Sequence, residues 1–150
     1  MEKSRLLIKK MLREGLSEND YRGSHTAPNR SDTNSPMHDL ENNFGDDVYG
    51  PNCVRYFGDG SLRARADDNF SCAVIRSAKG KPDQKIKIYR AVPKDVNVIN
   101  NGDWVTINPN YAKQHGISHV GKYKVISKVV YAKDLYSDGN SIHEWGYNPE

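Results

Sequence analysis

Residues 85 to 92 read Lys-Ile-Lys-Ile-Tyr-Arg-Ala-Val and alternate in the way that is typical of a β-strand. Period two places one arginine, Arg90, on the otherwise apolar face that Ile86, Ile88 and Val92 form. A guanidinium keeps its proton, so an arginine that faces the core needs an anion beside it. That anion is either an Asp or Glu of this chain or the phosphate or carboxylate of a ligand.

The patterns around this strand predict an α+β fold. Helical spacing and end signals predict a basic amphipathic helix at 2 to 14, a main helix at 61 to 79, and a two-turn helix from Pro109 that stops at Gly116. Alternation predicts further strands at 104 to 107, 122 to 131 and 141 to 147. We expect the main helix to pack on the sheet through its apolar stripe: Leu62, Ala66, Phe70, Ala73, Val74 and Ala78.

A chain of 150 residues fits a single domain, 1 to 150, able to bury one core. Within it we distinguish the basic N-terminal helix region (1 to 20), a polar segment that we interpret as a functional loop (21 to 60), and the core helix and strands (61 to 150). A formal charge of +3 is too small to indicate a protein that coats nucleic acid.

The sequence shows no apolar run of membrane-spanning length and no signal-peptide pattern at its start. We therefore expect a soluble protein of the bacterial cytoplasm that has no membrane partner. Two cysteines in a chain of this length do not make a disulfide framework, so we interpret Cys53 and Cys72 as free thiols.

Two charged side chains point by period toward apolar faces of different strands, Arg90 and Glu144. One interpretation is a buried Arg/Glu ion pair that holds the sheet together. The other uses the groups separately: an arginine fork suits a pyrophosphate, and a half-buried glutamate suits a ribose hydroxyl beside a developing positive charge.

Three segments, in this order, resemble the ADP-ribosyltransferase fold, and most closely the small transferase-type domains that bacteriophages encode. They are Tyr-Arg-Ala at 89 to 91, the strand Gly-Asp-Trp-Val-Thr at 102 to 106 with Tyr111-Ala112 on the next helix, and His-Glu-Trp at 143 to 145. The motif match covers residues 85 to 148. In addition, Tyr-Arg-Gly-Ser-His-Thr-Ala-Pro at 21 to 28 resembles the first-strand motif of transferases that use a histidine, with Tyr49 or Tyr56 in the tyrosine role.

The resemblance implies a split mixed β-sheet core of two small packed sheets, flanked by helices, with an NAD-binding cleft between them. It implies that Arg90 holds the NAD phosphates, Thr106 orients Glu144, and Glu144 bonds the nicotinamide ribose. Loss of nicotinamide leaves an oxocarbenium-like ribose, which a fixed carboxylate stabilises most in the transition state. The remaining NAD-binding candidates are Arg22, His25, Thr26, Tyr49, Tyr111 and Trp145, of which the last three are candidates to stack on nicotinamide.

The chain departs from the family pattern in several places. The spacing from Arg90 to Thr106 is short and Thr replaces the usual Ser, so Arg22 rivals Arg90 for the pyrophosphate. Ile142 stands where arginine-modifying members carry Glu or Gln. Modification of arginine is therefore disfavoured, which leaves another amino acid, a nucleic-acid base, NAD hydrolysis, or a degenerate site.

The resulting prediction is a phage or bacterial enzyme that transfers ADP-ribose from NAD to a protein or nucleic acid of the host. One rival is a non-catalytic binding module of the same fold that inhibits a host defence complex. Another is a nuclease-like toxin that uses His25 and His38. His115 and His119 have metal-ligand spacing, but Gly116 lies between them and no cysteine is near, so we predict no metal.

Overall fold

The computed structural model describes residues 27–31 and 33–150. Its strands are β1 (Ser35–Pro36), β2 (Lys85–Pro93), β3 (Trp104–Thr106), β4 (Tyr123–Tyr131), β5 (Leu135–Ser137) and β6 (Glu144–Tyr147). Its α-helices are α1 (Glu41–Phe44), α2 (Cys53–Phe57), α3 (Arg65–Ala78) and α4 (Pro109–His115). Short 3₁₀ turns lie at Asp46–Tyr49 and Ala132–Asp134, and a π-helical turn, Gly116–Val120, follows α4.

In this described part of the chain, the strands form one sheet in the order β1-β5-β6-β3-β2-β4, and each pair is antiparallel. The predicted α+β class is confirmed. The finer prediction, a mixed sheet split into two small packed sheets, is not confirmed, because the described strands are hydrogen-bonded into one sheet.

The sheet nevertheless has two unequal halves. β2 and β4 pair along nine residues each, from Lys85 opposite Tyr131 to Pro93 opposite Tyr123. On the other side β3, β6, β5 and β1 form a second ladder. Among the described residues a single register pair, Tyr89 opposite Thr106, joins the halves. We call this junction the seam.

Residues opposite each other in an antiparallel pair lie on the same face of the sheet. Tyr89, Thr106 and Glu144 therefore share one face, which we call the outer face. The opposite face carries Ile88 and Val105, which belong to the hydrophobic core, and so we call it the core face. The core also contains apolar side chains from α1, α3 and both 3₁₀ turns, including Phe44, Ile75, Val48 and Ala132.

The strongest sequence signals predicted their elements well. The strands at 85 to 92 and 122 to 131 and the helix at 109 to 115 are present within one or two residues. Asn108 caps α4 as expected, because its side-chain oxygen accepts hydrogen bonds from the backbone N–H groups of Asn110 and Tyr111, and Pro109 follows it. Strand β5 was not predicted.

The interpretation of residues 21 to 60 as a polar loop is wrong for much of its described part. Three short helical elements lie between residues 41 and 57, and they place Phe44, Val48 and Tyr49 in the core. The predicted helix at 2 to 14 lies outside the described residues.

The main helix is present, but its predicted buried stripe is only partly correct: Ala78 is buried and Val74 packs against the core, whereas other members are exposed. Leu62 is 80% exposed and Phe70 is 45% exposed, whereas Asp68 and Ser71 are buried. Helix α3 thus turns a partly polar side toward the sheet, and these polar groups find partners there.

Cys53 and Cys72 form a disulfide, so their interpretation as free thiols is wrong. The bond connects α2 to α3, and the two Cα atoms lie 6.0 Å apart. Within the described residues, no helix combines the length and the apolar character that crossing a bilayer requires.

Candidate functional site

The carboxylate of Glu144 lies at the start of β6, on the outer face. Glu144 is opposite Thr106 of β3 in the sheet register, and Thr106 is in turn opposite Tyr89 of β2. The side chain of Thr106 is buried and that of Glu144 is half-buried. The structure therefore brings together two of the three residues that the sequence predicted to be catalytic, Thr106 and Glu144.

Tyr111 of α4 holds the Glu144 carboxylate in place. Its hydroxyl donates a hydrogen bond of 2.5 Å to Oε1 of Glu144. The ring of Tyr111 is also held, because it stacks on the ring of His143 with 5.0 Å between centroids and 21° between planes. Of the predicted nicotinamide-stacking groups, Tyr111 is thus the one that reaches Glu144.

His143 is itself fixed by a buried polar pair on α3, which sequence reasoning missed. Its Nε2 lies 2.9 Å from Oδ1 of Asp68 and its Nδ1 lies 2.7 Å from Oγ of Ser71. Asp68 also accepts a hydrogen bond of 2.8 Å from the backbone N–H of Asp59. The available signal is the spacing of Asp68 and Ser71, three residues apart and therefore on one face of the helix.

The order carboxylate, imidazole, hydroxyl in this trio matches that of nucleophilic triads. All three residues are, however, at most 2% exposed, so the Ser71 hydroxyl cannot meet a substrate in this conformation. The trio is instead a support that fixes the His143 ring under Tyr111. We call Asp68, Ser71 and His143 the buried support.

A second set of hydrogen bonds places the start of α4 against the sheet. The backbone N–H of Asn108 donates to the Thr106 hydroxyl oxygen at 3.2 Å. The side-chain amides of Asn108 and Asn110 both donate to the carboxylate of Asp67 on α3. Thr106 therefore acts as an anchor for the helix that carries Tyr111.

An open groove of about 370 Å³ lies between α4 and the outer face of β2 and β4. Its walls carry one cation and one partly buried aromatic ring, and its lining residues are Tyr89, Pro109, Asn110, Lys113, Val125 and Ser127. Because Tyr89 is opposite Thr106 across the seam, the groove lies one strand away from the Thr106 and Glu144 pair. This volume lies within the range of small-molecule sites.

Arg90 does not join this site. It lies on the core face, where its side chain is 9% exposed. Its Nη1 donates to the backbone oxygen of Trp104 at 2.7 Å, and its Nε lies 3.8 Å from Oδ2 of buried Asp103. The structure thus places beside Arg90 an anion of this chain, but it is Asp103 and not the predicted partner Glu144.

The other two aromatic candidates for nicotinamide stacking are also elsewhere. Trp145 is fully buried on the core face, and its Nε1 donates to the backbone oxygen of Ile142. Tyr49 is buried beside residues 37 to 40: its hydroxyl donates to the Met37 oxygen at 2.6 Å and accepts from the Leu40 N–H at 2.9 Å. Burial raises the pKa of Tyr49 to about 12. Tyr56, the alternative to Tyr49, is 51% exposed on α2.

Arg22, His25 and Thr26 lie outside the described residues, so their proposed contacts with NAD remain predictions. The described chain begins at Ala27 and Pro28, both buried. Pro28 passes directly over β6, because a Cβ added to Gly146 would lie 1.9 Å from the Pro28 backbone oxygen. This crossing is on the outer face, two residues along β6 from Glu144.

The histidines do not form a metal site in the described residues. Within this part of the chain, no group of three or more His, Cys, Asp and Glu side chains has the arrangement needed to hold an ion. The rings of His115 and His119 stack with 4.3 Å between centroids, and His119 Nδ1 lies 3.1 Å from the His115 backbone oxygen. Burial lowers the pKa of His38, the described member of the predicted nuclease pair.

A comparison with protein families, with curated proteins and with solved structures finds no match to this chain.

Proposed function

We propose that this protein is an NAD-dependent ADP-ribosyltransferase and that Glu144 is its essential carboxylate. The observation that supports this most directly is the fixed position of the carboxylate: it is half-buried, lies opposite Thr106, and accepts the short hydrogen bond from Tyr111. A carboxylate held in this way needs little reorganisation when positive charge develops beside it.

The chemistry requires one fixed anion and an acceptor. The bond between C1′ of the nicotinamide ribose and N1 of nicotinamide breaks, and nicotinamide leaves with the electron pair as a neutral molecule. Glu144 accepts a hydrogen bond from a ribose hydroxyl and stabilises the positive charge that develops on the sugar. The acceptor, or water, then forms the new bond at C1′ and releases its proton. Since this charge is largest in the transition state, the carboxylate lowers the barrier and not merely the dissociation constant.

The neighbouring residues have positioning roles in this proposal. Tyr111 occupies Oε1 of Glu144, which leaves Oε2 to accept from the ribose. Thr106 anchors α4 through Asn108, and the buried support fixes the ring on which Tyr111 stacks. Arg90 has no direct role, because it lies on the core face. We assign the NAD phosphates to Lys113 in the groove, together with the sequence candidate Arg22.

A non-catalytic binding module is the second candidate, and the position of Arg90 favours it. The resemblance implies that an arginine, a threonine and a glutamate share one cleft, and here the arginine is paired with Asp103 on the other face. A fold that retained its framework and lost NAD cleavage would have this arrangement.

The test is nicotinamide release, followed by mass spectrometry with NAD alone and with NAD plus host lysate. We expect release by the wild type and a loss of at least about 100-fold in Glu144→Gln, which keeps the shape and removes the charge. Glu41→Gln, an exposed change on α1, is the matched control. No release and no modified target with either protein would contradict the enzyme and leave the binding module. Equal release by wild type and Glu144→Gln would remove Glu144 from the mechanism.

A further inference from the structure

A strip of alternating lysines, tyrosines and one exposed valine runs along the outer face of β2 and β4. The register places Lys85 opposite Tyr131, Lys87 opposite Val129, and Tyr89 one pair further along. Val129 is 58% exposed and Tyr131 is 43% exposed. We call Lys85, Lys87, Tyr89, Val129 and Tyr131 the lysine–tyrosine strip.

The strip and the candidate site are continuous. Tyr89 is both the last member of the strip and a wall of the groove that contains Lys113. Across the seam, Tyr89 is opposite Thr106, which is opposite Glu144. An extended molecule bound along the strip would therefore lead into the groove, one strand away from the proposed catalytic carboxylate.

The strip is positively charged and its rings are accompanied by cations. Among the described residues, neither Lys85 nor Lys87 has a carboxylate within salt-bridge distance. The Nζ of Lys87 lies 5.6 Å from the Tyr89 ring centroid, and the Nζ of Lys133 lies 5.4 Å from that of Tyr131. Lys133 also pairs with Asp83 at 3.3 Å, at the margin of the strip. Uncompensated positive charge of this kind complements a polyanion.

We propose that the lysine–tyrosine strip binds single-stranded nucleic acid and that this polymer is the acceptor of ADP-ribose. The part of this proposal that concerns the acceptor of ADP-ribose rests on the proposed function. Lysines on alternate residues of one strand are about 7 Å apart, a spacing that suits successive phosphates of an extended strand. The exposed ring of Tyr131 offers a face for base stacking, which is the usual sequence-tolerant way to hold unpaired bases, and the half-buried ring of Tyr89 extends this surface. An acidic polypeptide would use the lysines but would have no need of the tyrosine faces.

The experiment measures binding directly, without NAD, by fluorescence anisotropy of labelled oligothymidylate and oligouridylate, with labelled polyglutamate as a third probe. We expect both oligonucleotides to bind at low salt and affinity to fall with salt with a log–log slope of about −1.4, from Lys85 and Lys87 at about 0.7 each. Binding of either oligonucleotide more tightly than polyglutamate supports the proposal. The tighter of the two oligonucleotides then indicates whether the bound polymer is DNA or RNA. Polyglutamate binding as tightly as the oligonucleotides would overturn it in favour of an acidic protein.

Two strip variants and two matched controls localise the binding. Lys85→Ala with Lys87→Ala should reduce the salt slope by about 1.4, and Tyr131→Ala should weaken binding about fivefold or more. Arg55→Ala and Tyr56→Ala remove a similar cation and ring from α2, where the Arg55 Cζ lies 5.8 Å from the Tyr56 ring centroid and Tyr56 is 51% exposed. These control variants should change neither the salt slope nor the affinity. No binding, or equal effects of strip and control variants, would overturn the proposal that the lysine–tyrosine strip is the binding surface. Since the binding assay contains no NAD, it can fail while nicotinamide release succeeds, and the reverse.

Discussion

The Tyr111 hydroxyl and the Glu144 carboxylate are joined by a hydrogen bond of 2.5 Å, and the Tyr111 ring rests on His143. One aromatic residue thus connects the buried support on α3 to the half-buried carboxylate on β6. This relationship makes the proposed activity depend on residues that do not touch a substrate.

Removing only the hydroxyl should separate the two roles of Tyr111. Tyr111→Phe keeps the stacking on His143 but frees Glu144, and a hydrogen bond to an ionised group contributes about 1.5–3 kcal/mol. We expect kcat for nicotinamide release to fall about 10- to 100-fold, with the KM for NAD little changed. Tyr131→Phe on exposed β4 is the control. An unchanged kcat in Tyr111→Phe would mean that the bond does not orient the carboxylate.

The buried support should contribute strongly to stability. Asp68→Ala leaves His143 without its Nε2 partner and the Asp59 N–H without its acceptor, which should lower the free energy of unfolding by about 3 kcal/mol. Urea denaturation gives this value from the midpoint at constant slope. Asp95→Ala, in an exposed turn, should stay within about 0.5 kcal/mol of the wild type. Equal stability of the two variants would show that the Asp68 bonds are weak.

Arg90 should behave as a structural residue. Arg90→Met leaves the Asp103 carboxylate buried beside an apolar side chain, and we expect a loss of about 3–5 kcal/mol in unfolding free energy. Adding Asp103→Asn removes that charge and should restore part of the loss, which a double-mutant cycle measures. The KM for NAD of the folded protein should stay the same. A specific rise in KM with unchanged stability would instead return Arg90 to the phosphate-binding role.

The disulfide should stabilise the connection between α2 and α3. Cys53 and Cys72 are 19 residues apart, and closing a loop of this length is worth about 3 kcal/mol in chain entropy. Cys53→Ala with Cys72→Ala should lower the unfolding free energy by that amount, and a reductant should lower the wild type equally while leaving the variant unchanged. Titration of free thiols verifies the starting state. A wild type that is insensitive to reductant would argue against the bond.

Gly146 should be intolerant of a side chain. A Cβ at this position would lie 1.9 Å from the Pro28 backbone oxygen, so Gly146→Ala must displace the crossing segment and should cost about 1–3 kcal/mol. Gly50→Ala is the matched control, because its nearest neighbour would be a normal 3.6 Å away. Thermal unfolding of both variants compares them. Similar melting temperatures would mean that Pro28 does not lie on β6.

Local pattern predicted much of the fold but little of the pairing. Period two correctly turned Arg90 to the core face, but its partner Asp103 was not predicted, since the sequence pattern does not show which residues before β3 fold against β2. Glu144 was grouped with Ile142 as core-facing because the strand was started at Ser141. It begins at Glu144, so the alternation before it does not apply.

The buried support and the disulfide escaped prediction for a related reason. Hydropathy ranks Leu62 and Phe70 above Asp68 and Ser71, but the polar pair is buried because His143, more than seventy residues away, satisfies it. Likewise, a count of two cysteines contains no information on distance. Both features depend on tertiary contacts that a local sequence pattern does not encode. Thr106 and Glu144 were found together because the motif order placed them on strands that do pair.

The two ladders of the sheet share little backbone pairing at the seam. In the described chain the long β2 and β4 ladder, which carries the strip, meets the ladder that carries Glu144 through one rung, Tyr89 and Thr106. Rotation of one ladder against the other would bend fewer backbone hydrogen bonds at the seam than within either ladder. The angle between the two ladders sets the distance between a nucleic-acid strand bound on the lysine–tyrosine strip and the Glu144 carboxylate. The backbone pair of Tyr89 and Thr106 and the Arg90 hydrogen bond to the Trp104 oxygen therefore both connect the two ladders.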